Sequence, residues 1–122
     1  MPKPTEVSKS QSSVSFTGVL SDEIPKVWKH AAPFIQRGMA EGEILEHVYF
    51  NLIQRKNQLW AAYQGQDMVA ACVTELPTIG KRKVCNIISI GGTGLQNWLQ
   101  YLETIEQWAS ANGCSHMRFP ET

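Results

Sequence analysis

The sequence predicts a single α/β domain of the α+β kind: a central, mostly antiparallel sheet flanked by helices, in the order β-α-α-β-β-β-α-β. Three observations predict it. Residues 84–90 form an apolar run that passes through Gly91-Gly92-Thr93-Gly94 into an amphipathic stretch at 95–112, closed by Gly113 and followed by Met117 and Phe119. That pattern is strand, tight loop, helix, strand. Residues 59–63 and 68–76 are apolar runs around Gly65-Gln66-Asp67, the spacing of an antiparallel hairpin. Ahead of them lie two segments with apolar residues at helical intervals. A length of 122 residues suits one domain, divided into a polar tail at 1–13 and a folded part at 14–122.

The elements follow in chain order. Residues 1–13, rich in Ser, Lys and Pro, read as a tail that becomes ordered where something holds it. Residues 14–20 alternate, Val14 and Phe16 against Ser15 and Thr17, and predict a short strand. Ser21-Asp22-Glu23 offers an N-cap and first-turn acids. Ile24, Val27, Trp28, Ala31 and Ile35 then give a helical stripe, with a break or kink expected at Pro33. Gly38 and Gly42 bracket a linker. A second helix is expected at 43–56, with Ile44, Val48 and Leu52 on one stripe. Its acids Glu43 and Glu46 come first and Arg55 and Lys56 last, the order that suits the helix dipole. After the hairpin, residues 77–83 form a loop carrying Gly80 and Lys81-Arg82-Lys83, and the strand at 84–90 returns antiparallel. Thr93 and Gln96 fit a capping box for the last helix. Leu95, Trp98, Leu99, Leu102, Ile105 and Ala109 form its buried stripe, Tyr101 and Trp108 lie on one flank, and Gly113 suits the left-handed cap.

Composition narrows the function. Eleven basic and eleven acidic residues give zero net charge and a pI near 6.8, which argues against a general nucleic-acid binder and leaves the surface open to a protein partner. Cys72, Cys85 and Cys114 are scattered with no close pair, so they read as reduced core thiols and no metal site is expected. Residues 1–15 lack the apolar core of a signal peptide, and no apolar run has the length of a membrane span. A cytoplasmic location without a membrane partner is expected.

Residues 14–119 resemble the GNAT (Gcn5-related N-acetyltransferase) superfamily, and small phage-encoded GNAT-like proteins above all. The runs LWAAYQGQDMVAACVTEL and KVCNIISIGGTGLQNWLQYLETIEQWASANGCSHMRF carry the likeness. It implies that the strand before the loop splays from its neighbour and offers the backbone of Ile88, Ser89 and Ile90 to the pantetheine arm of acetyl-CoA. The family's loop motif (Gln or Arg, any two, Gly, any, Gly or Ala) falls on residues 89–94. Gly92 and Gly94 match it, and Ser89 departs from it. Gly91, Thr93, Leu95 and Gln96 complete the implied cofactor-binding stretch, in which helix-start amides face a pyrophosphate. Glycines between a strand and a helix also serve simply as a tight turn. The family usually continues past the last strand with a helix and two strands that often supply an acidic Tyr, whereas no Tyr follows Tyr101 here. The resemblance therefore implies a truncated GNAT-like fold. Its last strand, His116, Met117, Arg118 and Phe119, presents an open edge. A protein partner or a second copy is expected to cover residues 114–122, with Tyr101 and Trp108 as further anchors.

For chemistry, Glu75 is the candidate general base, the alternative being an ordinary exposed strand residue. His30, His47 and His116 lie on different elements, and no nucleophile–base spacing is visible. Lys81-Arg82-Lys83 either touches phosphate or is a solvated hairpin end. With Ser89, the acid and the last strands departing from the family, the expected function is a degenerate, binding-only domain with no cofactor. It would be a phage-type structural or interaction protein, virion-associated or in the host cytoplasm. An N-acetyltransferase using acetyl-CoA is the alternative, and a small phage inhibitor or adaptor gripping a host protein is the third reading.

Overall fold

The computed structural model describes residues 14–93 and 98–119. The strands are β1 (Ser15–Val19), β2 (Asn57–Gln64), β3 (Asp67–Glu75), β4 (Thr78–Ile79), β5 (Arg82–Gly92) and β6 (His116–Arg118). The helices are α1 (Ile24–Gly38), α2 (Leu45–Ile53) and α3 (Trp98–Ala111), and a 3-10 turn at Ser21–Glu23 leads into α1. Strands β1, β2, β3 and β5 lie side by side and antiparallel, and β6 runs parallel to β5. This is the α/β architecture expected from the sequence. Strand β4 is an addition: Gly80, at φ 66°, turns the expected loop back so that Thr78 and Ile79 pair with Lys83 and Arg82.

The sheet is buried on both faces. On one, Ile24, Ala31 and Ile35 of α1 and Val48 and Leu52 of α2 pack on Leu59, Ala71 and Val73. On the other, Ile105 and Ala109 of α3 pack on Trp60, Cys72, Cys85 and Ile87. That double coverage explains the near-continuous apolar runs of β2 and β3, since a strand covered on both faces has no side left for polar residues. The buried Trp60 indole donates to Thr74 Oγ1 at 3.0 Å, so its one donor is satisfied.

Three boundaries differ from expectation. Pro33 does not end α1, which runs on to Gly38. Pro33 is exposed, and the turns around it are anchored by the buried Ala31 and Ile35, so core packing offsets the lost hydrogen bond. Helix α2 starts at Leu45, after an extended Ile44, and stops at Ile53. Arg55 takes a left-handed φ of 64°. The Lys56 amide donates to Asn51 O and the Arg55 amide to Leu52 O, which is a Schellman stop built on a non-glycine residue. Gly113 closes α3 in the same way, with φ 89° and the Cys114 amide donating to Ala109 O. The nearest atom to an added Cβ at Gly113 is Lys83 Cδ at 4.0 Å, so a substitution there costs conformation and not space. Gly113→Ala is expected to lower stability by about 1–2 kcal/mol, measured by urea unfolding, while Gly113→Asn loses less.

Candidate functional site

Strand β5 is eleven residues long, but β6 pairs only with Val84, Cys85 and Asn86. Beyond Asn86, residues 87–92 have β3 on one side and, among the described residues, no strand on the other. At about 3.3 Å per residue that open edge is roughly 20 Å long. Its main-chain groups require partners from water or a ligand.

A β-bulge shapes this edge. Val73 pairs with Ser89 and Thr74 with Ile87, so Ile88 is the extra residue. The bulge turns both Ile88 and Ser89 toward α1. Ile88 packs with the α1 cluster, and Ser89 Oγ donates to Ile35 O at 2.5 Å. Ile35 lies in the last turn of α1, where carbonyls lack intrahelical partners; the Met39 amide goes to Gln36 O instead. Glycine allows the close approach. A Cβ on Gly38 would strike the Ile90 carbonyl, and one on Gly91 would strike the Phe34 carbonyl. The end of α1 is thus seated directly on the main chain of β5.

The expected cofactor stretch is therefore placed differently from a glycine turn. Gly91 and Gly92 are strand residues, paired with Ala71 and Ala70. A Cβ on Gly92 would lie 2.5 Å from Ala70 Cα, and Gly92 also takes a φ of 147°, so Gly91 serves close packing and Gly92 serves both packing and backbone conformation. The Thr93 amide donates to Val69 O at 2.9 Å and its hydroxyl donates to the same carbonyl at 3.4 Å, which ties the end of β5 to β3. The Ser89 hydroxyl is buried against α1 and does not face the open edge, whereas Ile90 packs on the α3 side. Gly94, Leu95 and Gln96, with the expected capping box, lie outside the described residues.

Glu75 pairs across the sheet with Asn86, whose Nδ2 donates to Glu75 Oε1 at 2.8 Å. On the other side of Asn86, Arg118 is its parallel partner. Asn57 pairs with Glu75. Asn57, Glu75, Asn86 and Arg118 thus form one polar row across four strands, on the α1–α2 face, at the level where β6 ends. Sequence reasoning missed this row because strand register is not written in a hydrophobic pattern. The available signal was that Glu75 and Asn86 each interrupt an apolar run. His116 lies beside Val84, one step before the row on the same face. The other expected anchors both pack on aromatic rings of the sheet. Tyr101 is 2% exposed and stacks on Phe16 at 4.5 Å, and Trp108 meets Trp60 edge-on at 5.1 Å. Burial against β1 claims the Tyr101 ring, so it stands on no free flank, whereas Trp108 stays half-buried beside Trp60.

The thiols are chemically quiet. Burial first, and the neighbouring Cys114 thiol second, push Cys85 from 9.0 up to about 11. Burial, with Cys85 adding to it, pushes Cys72 upward as well. Neither is a thiolate at neutral pH, so neither serves as nucleophile.

No protein-family profile matches the sequence, and no curated protein matches it. Solved structures do match in fold. An aminoglycoside acetyltransferase, meta-AAC0020, from an uncultured soil metagenomic sample superposes with a TM-score of 0.64 at 12% identity, covering 91% of this chain and 79% of its own. A GNAT family acetyltransferase of Staphylococcus aureus gives 0.64 at 7% identity, covering 90% and 87%. AAC(6')-Iy, solved in complex with the bisubstrate analog CoA-S-monomethyl-acetylneamine, gives 0.64 at 9% identity, covering 89% and 80%. The chain has the fold of the GNAT acetyltransferases. This overturns the expectation of a phage-type structural or interaction protein: these three structures, which share its architecture over about nine tenths of its length, are all of acetyltransferases.

Two outcomes test the site's construction. Ser89→Ala leaves the Ile35 carbonyl without its donor and is expected to cost about 1–3 kcal/mol in urea unfolding; an unchanged midpoint would count against the clamp. The raised Cys85 pKa favours the neutral thiol in the folded state. Its stabilisation is complete below about pH 9 and is lost as pH rises toward about 11. Cys85→Ala should therefore flatten the alkaline fall in thermal stability across that window.

Proposed function

We propose that the chain is an acetyl-CoA-dependent N-acetyltransferase. One observation carries this reading: the bulged edge of β5 that begins where β6 leaves it. An extended chain bearing amides can add to such an edge group by group, as a strand would. The residues present fit the pantetheine arm of acetyl-CoA, because residues 87–92 present main-chain donors and acceptors at strand spacing and the α1 clamp holds them in place. The ligand, when bound, supplies a thioester-activated acetyl group. The β5 edge binds and orients it. Glu75, held by Asn86 at the head of the open edge, receives the proton that the attacking amine loses. The bisubstrate-analog complex of AAC(6')-Iy and the sisomicin complex of the aminoglycoside acetyltransferase meta-AAC0020 support an amine as the acceptor class.

Calorimetry with acetyl-CoA on the full chain tests this directly, with micromolar binding expected. Release of free CoA thiol in the presence of a primary amine is the matching activity readout. Glu75→Gln should lower turnover by about 10²-fold or more while leaving acetyl-CoA affinity within about twofold. Absence of acetyl-CoA binding at millimolar ligand would end the proposal.

A further inference from the structure

We propose that Arg118, seated beside Asn86 at the end of the polar row, recognises an anionic group on the acceptor, so that the acceptor is a small amine bearing a nearby phosphate or carboxylate. This rests on the acetyltransferase reading for its chemistry, although the binding it asserts is separate from turnover. Register places Arg118 beside Asn86 and Asn86 beside Glu75. The parity of the strands puts all three on one face. Met117, Cys85 and Ile87 pack toward α3 and Val73 toward α1, so Arg118, Asn86 and Glu75 point to the α1–α2 side. Two strand spacings separate the Cα atoms of Glu75 and Arg118, roughly 10 Å, which the two long side chains narrow to the size of a small zwitterion.

The charges favour an anion beside the amine. Arg118 is exposed, and among the described residues the one ion pair is Lys26 with Glu23. Arg118 therefore has no carboxylate partner there. His116 lies on the same face one step away, and Arg55 and Lys56 precede Asn57 at the row's other end. Glu75 is the one acid of the row, and its Oε1 already accepts from Asn86. An amine at Glu75 and an anion at Arg118 would be met by complementary charges, with the planar guanidinium able to take two oxygens at once. A polycation would meet Glu75, and Asp22 in the cleft by Asn57, against Arg118, His116, Arg55 and Lys56. The row thus points away from the aminoglycosides named for some of the structural neighbours.

The test is a titration of the full chain, with CoA present and absent, using O-phosphoethanolamine, β-alanine and ethanolamine as probes. The first two separate phosphate from carboxylate, and the third lacks the anion. O-phosphoethanolamine or β-alanine is expected to bind at least about tenfold tighter than ethanolamine, a gap of about 1.4 kcal/mol. Arg118→Gln should remove that gap, and Arg118→Lys should restore part of it. Asn86→Ala serves as a second variant, expected to weaken both the amine and the anion. Equal binding of the three probes, no detectable binding of any, or a preference that survives Arg118→Gln would overturn the inference. None of these outcomes depends on acetyl-CoA turnover, so the inference and the proposed function fail separately.

Discussion

The seating of α1 on β5 is the contact on which the rest of the molecule depends. A helix end normally leaves carbonyls that water must satisfy. Here the last turn of α1 presses on a strand so closely that only glycine fits at positions 38 and 91, and water is replaced by the Ser89 hydroxyl on Ile35 O. The strand can supply that hydroxyl because Ile88 is bulged out of register. Helix, bulge and glycines are one arrangement, and removing any of them would strain the other two.

That arrangement explains the shape of the site. A bulge raises local twist and ends regular pairing, and β5 changes from a strand with neighbours on both sides to one with an open flank just before it. The last paired residue, Asn86, carries the side chain that holds Glu75. Binding edge and titratable group are therefore fixed by the same few residues of β5. The opposite face of that strand has no comparable chemistry. There Cys85 and Ile87 meet α3 in an apolar layer, and burial keeps the thiols protonated.

The order of elements was legible because the chain's apolar periodicities are long and only briefly interrupted. Gly113 was legible because a left-handed stop leaves a local signature. Pro33 misled, since local propensity says nothing of the buried Ala31 and Ile35 that carry the helix through it. Gly91 and Gly92 misled for a related reason: glycine marks either a turn or a close approach, and only the partner across the gap, Phe34 or Ala70, decides which. Tyr101 seemed surplus to its helix stripe because Phe16, its stacking partner, lies 85 positions earlier. Glu75 was named from the sequence, but Asn86 and Arg118 were not joined to it. Their alignment follows from a bulge and a parallel pairing, and neither is encoded in spacing along one strand.

The most direct test of the open edge is amide hydrogen exchange across residues 84–93, with and without acetyl-CoA. Slow exchange at Val84 to Asn86 in the free chain, with the amides of residues 87–92 that face away from β3 becoming protected only when acetyl-CoA is added, is the expected result. Edge-facing amides of residues 87–92 already protected in the free chain, or indifferent to saturating acetyl-CoA, would contradict it.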